Sequence, residues 1–136
     1  MARKIPKTRL RRLIRAAWAT AAFFSIGYFP TMLLAWAKLV GPPVVSMAVA
    51  TVLTVPFGIS AGNLRRGLLR GAWLGLAAGV GVWAGLNYGP QQRGTSGTLV
   101  FLFATAAMCA AVGAWFGWRA HCHTEAVDRA WDEVEE

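Results

Sequence analysis

Between Ala16 and Ala61 the chain carries a single charged side chain, Lys38. An apolar run of that length is too long for one membrane span of about 20 residues. Lys38, Gly41, Pro42 and Pro43 divide it in two, because proline is tolerated in the first turn of a helix and not in its interior. Two more apolar runs follow, 71–89 and 98–118. In lipid a backbone must satisfy its own hydrogen bonds, so all four runs are expected to be helices. The expected fold class is therefore an all-α membrane protein, a four-transmembrane-helix bundle with spans at about 16–37, 42–62, 71–89 and 98–118. A basic arm (1–15) precedes it and an acidic tail (119–136) follows. The first span holds 22 residues, about 33 Å of helix, enough for a hydrocarbon core. Trp18 and Trp36 stand near its two ends, Trp73 and Tyr88 bracket the third span, and Trp115 and Trp118 mark the exit of the fourth, where interfacial aromatics belong.

Charge orients these spans. All six acids (Glu125, Asp128, Asp132, Glu133, Glu135 and Glu136) lie after Thr124, and seven of the fourteen Lys and Arg precede Ala16. With the N-terminus inside, the inner segments hold those seven, then Arg65, Arg66 and Arg70, then Arg119 and Arg129; the outer turns hold Lys38 and Arg93. Twelve against two satisfies the positive-inside rule in every segment at once. The expectation is a multi-pass protein of the inner (plasma) membrane of a bacterium with both termini cytoplasmic. Arg9, Arg11, Arg12, Arg15, Arg65, Arg66 and Arg70 would then contact anionic lipid headgroups. The net charge of +8 is assigned to that lipid surface and not to nucleic acid. In the arm, Leu10, Leu13, Ile14 and Ala17 follow a helical stripe, suggesting an amphipathic lead-in on the membrane surface. Arg11-Arg12, the apolar run and Ala35-Trp36-Ala37 also mimic a signal peptide, but the run exceeds the usual 7 to 15 residues.

Glycine spacing selects the packing helix. Gly71, Gly75 and Gly79 fall four apart, as do Gly81, Gly85 and Gly89, and residues four apart share a helix face. Such rows let a neighbouring helix approach closely. The fourth span repeats the pattern with Ala106, Ala110 and Ala114, and with Gly113 and Gly117. These rows are candidates for contacts with a partner protein or a second copy, or for packing within the chain. Pro30 and Pro56 should kink the first and second spans by freeing the Ile26 and Val52 carbonyls, with Thr51 near enough to help the latter.

The usual chemistry of membrane sites is sparse. No Asp, Glu or His falls within a span, where proton-coupled transporters place them. Length and span count resemble the small four-helix multidrug exporters and the small fluoride channels. The embedded first-span Glu of the exporters is missing, as are the glycine, asparagine and phenylalanine motifs of the channels. Ser25, Ser46 and Ser60 have no intramembrane base beside them, and Thr51, Thr54 and Thr105 read as hydroxyls bonded to helix carbonyls. His121, Cys122 and His123 are weak metal candidates, since three adjacent residues cannot converge from a helix and a closed zinc site needs four ligands. No cofactor and no enzymatic activity are expected. In the tail, Val127, Ala130, Trp131 and Val134 form a stripe, pointing to a short helix capped by Thr124, whose acids could pair with a basic arm. The expected role is that of a non-enzymatic accessory or assembly subunit of a membrane complex. A holin-like pore and, further off, a facilitator for a neutral solute are the alternatives.

Overall fold

In a computed structural model of the chain the described residues are 7–36, 42–87 and 95–135, and they are helical except for one turn. Four helices follow one another: α1 (Lys7–Trp36), α2 (Pro42–Ile59), α3 (Leu64–Asn87) and α4 (Thr95–Glu135). Three are long and apolar enough to cross a membrane, through Thr8–Leu34, Leu64–Asn87 and Leu99–Ala130. The apolar part of α2, Pro43–Ile59, is shorter. Large side chains turn outward along these helices, among them Phe29 (57% exposed), Val52 (67%) and Phe103 (64%). Soluble monomers rarely show such continuous apolar surface, and lipid is the solvent that suits it. This is a helical membrane protein.

The helix boundaries differ from expectation in three places. The basic arm is not a separate element: α1 runs unbroken from Lys7 through Arg9, Arg11, Arg12 and Arg15 into the apolar run, with Pro30 inside it. The arginine-rich segment 63–70 is not a loop either. Gly62 takes a left-handed φ of 62°, which ends α2 as glycine commonly does. The Asn63 carboxamide oxygen then accepts the Arg65 backbone N–H at 3.1 Å, capping α3. That stop-and-start pair confines the turn to residues 60–63, and Leu and Arg, both good helix formers, carry α3 onward. Finally, the tail is no separate helix. α4 continues to Glu135, and the Thr124 hydroxyl donates to the Ala120 carbonyl at 2.8 Å, a mid-helix bond and not a cap. Residues 88–94 and Gly89 within them lie outside the described residues, as do Tyr88 and Arg93, Lys38 and Gly41, and the first six residues of the arm.

α3 sits at the centre of the assembly. It packs on α1, α2 and α4, whereas α1 and α4 do not touch among the described residues. Two faces of α3 explain this. Gly67, Gly71, Gly75 and Gly79 lie so close to α4 that a Cβ would strike its backbone: Gly67 meets the Gly113 carbonyl, Gly71 the Cys109 carbonyl, Gly75 the Ala106 Cα and Gly79 the Leu102 carbonyl. The pairing retreats on α4 as it advances on α3, so the two run antiparallel. Gly113 and Gly117 return the contact, onto Gly67 and Asn63. On the other face, Gly81 abuts Phe24 and Tyr28, Gly85 abuts Tyr28 and Thr31, and Gly27 of α1 lies against Ala78. Here the pairing advances on both helices, so α1 and α3 are parallel. The basic start of α1, the turn 60–63, the start of α3 and the far part of α4 consequently share one end of the molecule.

The core sets the small side chains of Ala50, Ala78 and Cys109 beside Leu74 and Phe23, and the Phe23 ring meets Phe57 edge-on at 5.6 Å. α1 and α2 are joined by a fully buried hydrogen bond between the Thr31 and Ser46 hydroxyls, 2.8 Å apart. Thr51, Thr54 and Thr105 bond the carbonyls of Met47, Ala50 and Phe101, so Thr51 does not serve the carbonyl freed by Pro56. Thr31→Val should cost about 1 kcal/mol by stranding the Ser46 hydroxyl. Thr31→Val combined with Ser46→Ala strands nothing and should lose less than the sum of the single changes. Unfolding of the four proteins in detergent as a double-mutant cycle checks this.

Candidate functional site

Two features stand apart from the packed interior, both at the basic end. The first is a cleft of about 920 Å³ between α1, the end of α2 and the start of α3, with Arg12, Arg15, Arg66 and Arg70 among its lining residues. Helical spacing makes the faces. Arg12, Arg15, Ala16 and Ala19 follow i, i+3, i+4, i+7 on α1, and Arg66, Leu69, Arg70 and Trp73 do so on α3. Because α1 and α3 are parallel, both basic faces meet at the same end. Phe57 and Leu74 add apolar lining, and Arg70 Nη1 donates to the Ser60 hydroxyl at 3.2 Å.

Among the described residues no carboxylate answers these arginines. The chain has none before Glu125, and the ion pairs among the described residues are those of Glu125 with His121 and Arg129. Glu125 stands eight residues beyond Gly117, which lies against Asn63, and so about 12 Å further along α4 than the start of α3. Helix stability does not explain Arg66 either, since a cation in the first turn of α3 opposes the macrodipole at about 0.3–1 kcal/mol. All seven arginines expected to form a common lipid-contact set are exposed, and Arg9, Arg11 and Arg65 among them do not line the cleft.

A second, apolar groove of about 880 Å³ adjoins the cleft along α1 and α3, lined by Leu13, Phe24, Leu76 and Val80 among others. Trp73 and Ala16 belong to both cavities. The Trp73 indole N–H donates to the Thr20 hydroxyl at 2.9 Å, and that hydroxyl donates to the Ala16 carbonyl at 2.8 Å. This chain of bonds ties α3 to α1 where the cavities join. The sequence marks Trp73 as an interfacial residue and gives no sign of Thr20 as its partner; only the proximity of α1 and α3 pairs them, while Ser60 finds Arg70 across the α2–α3 turn.

The second feature is the far part of α4. Beyond Gly117 it extends 18 residues to Glu135, about 27 Å, and every described side chain from 121 to 130 is exposed. His121, Cys122 and His123 therefore lie on successive faces of a helix. His121 Nε2 is 3.2 Å from a Glu125 oxygen, and among the described residues no group of three His, Cys, Asp or Glu is placed to hold a metal ion. Cys122 is exposed and Cys109, on the same helix, is buried; both are free thiols. Ala106, Ala110 and Ala114 are half-buried, and Gly71, Gly75, Gly79, Gly81, Gly85, Gly113 and Gly117 are buried against helices of the same chain. Compared with known proteins, the chain matches no protein-family model, no curated protein and no solved structure.

Proposed function

We propose that the chain is a four-span bundle of the bacterial inner membrane, both termini cytoplasmic, working without catalysis as an accessory or assembly subunit of a membrane complex. α2 completes the set of spans: its 18 residues make about 27 Å of helix, within the range that a slightly thinned bilayer accommodates. The observation that carries the reading is how the surface is divided. The glycine rows of α3 are filled by α1 and α4 of the same chain, so the partner-facing element is the charged stalk of α4. Val127, Ala130 and Val134 run along that stalk with Glu125, Asp128 and Asp132 beside them, and among the described residues α1 and α4 make no contact. A basic, partly apolar segment of another protein is the complement of such a helix.

The test compares copurification in mild detergent of the tagged full chain and of a chain ending at Trp118. A stoichiometric second protein held by the first and lost from the second is the expected result. Recovery of copies of itself alone, together with dye leakage from liposomes, would overturn the accessory reading in favour of a holin-like pore. Solute uptake with no partner would favour the facilitator.

A further inference from the structure

We propose that the arginine cleft and the apolar groove together form a binding site for one anionic phospholipid. Its phosphate sits among Arg12, Arg15, Arg66 and Arg70, and one acyl chain lies in the groove between α1 and α3. The inference rests on the membrane-spanning part of the reading above and not on the partner of the stalk.

Three observations converge on this ligand. The four cations are all arginine, whose planar fork bonds phosphate oxygens in pairs, and the chain supplies them with no carboxylate before Glu125. Among the described residues no carboxylate pairs with these arginines, so an external anion is left to supply the counter-charge. The groove adjoins the cleft, with Trp73 and Ala16 lining both, so a ligand that reaches from one into the other is charged at one end and apolar at the other. Its length also fits. From Ala16 at the junction to Ser25, both in the groove lining, α1 rises about 14 Å, close to the roughly 15 Å of one leaflet of a hydrocarbon core. Trp73, bonded to Thr20 at 2.9 Å, stands at the junction, the level at which amphipathic rings meet the glycerol region of a bilayer. A general basic flank would engage Arg9, Arg11 and Arg65 equally. The cleft selects four of the seven.

Native mass spectrometry of the purified full chain in neutral detergent tests the site, with phosphatidylglycerol, phosphatidylcholine and glycerol 3-phosphate as separate probes. The expected result is a single phosphatidylglycerol adduct, favoured at least about tenfold over phosphatidylcholine. R66Q/R70Q should weaken it by about tenfold or more, the scale of one lost charge-assisted hydrogen bond. R9Q/R11Q, outside the cleft, should leave it within about twofold, and R66K/R70K should restore it only in part. Helix content by circular dichroism establishes that each variant is folded. Equal adducts with both lipids, or equal losses in R9Q/R11Q and R66Q/R70Q, would overturn the proposal. Glycerol 3-phosphate binding as tightly as the lipid would also overturn it, since the groove would then contribute nothing. The copurification test uses the stalk and needs no lipid, so either proposal can fail alone.

Discussion

Gly71→Ala should destabilise the protein, although the same change in an isolated helix stabilises it by about 1 kcal/mol. The sign is set by packing. A Cβ on Gly71 would overlap the Cys109 carbonyl and reach the Ala110 Cα at 3.1 Å. These are backbone atoms of a helix, and no rotamer change can move them aside. Overpacking a close-packed interior costs about 1–3 kcal/mol, and the neighbouring contacts at Gly67 and Gly75 prevent α3 from shifting locally. Gly71→Leu should go further and separate α3 from α4, with little monodisperse protein recovered from membranes. Thermal unfolding in detergent reads the first variant and size-exclusion yield the second. A rise in the unfolding midpoint of Gly71→Ala would mean that α3 and α4 do not touch there. Gly62→Ala offers a contrast: nothing lies within 4 Å of its Cβ, and its loss comes from a φ of +62°, a backbone strain of about 1–2 kcal/mol.

The second large effect is all-or-none. A membrane-impermeant maleimide should label Cys122 in inverted vesicles and leave it unlabelled in intact cells, with Cys109 unreactive in both until the protein is denatured. Cys122 is exposed on the stalk and Cys109 is buried against α3, so the natural thiols report orientation without any substitution. The expectation follows from twelve cationic residues on one side against two on the other, a bias that sets topology in short loops. Labelling of Cys122 in intact cells would reverse the proposed orientation. In the same assay Arg11→Glu with Arg12→Glu should produce an inverted fraction. Unchanged orientation would show that the start of α1 does not govern insertion.

Arginine positions in the cleft were visible in the sequence, but their meeting was not. Arg12 and Arg15 share a face by spacing, as do Arg66 and Arg70, yet about fifty residues separate the pairs. Only the parallel packing of α1 on α3 brings them to one cleft. Seeing it beforehand would have required knowing which face of each helix turns inward. That is set by Gly27 against Ala78 and by Gly81 against Phe24, contacts no local pattern contains.

What the sequence determined by itself was everything that depends on neighbours along the chain. Apolar runs of span length impose helix because lipid offers a backbone no hydrogen bonds. Glycines four apart make a flat face whatever packs on it. Charge counted segment by segment sets an expected orientation without any fold. Tertiary structure decided what depends on atoms far apart in the chain: that one glycine row of α3 receives α4 and the other α1, and that Thr31 and Ser46 find each other at 2.8 Å. The continuity of α4 lies between the two. Its sequence from Arg119 to Glu135 holds no Gly or Pro, so nothing local stops the helix. The polarity change at Trp118 marks where the apolar environment ends, not where the hydrogen-bond ladder does.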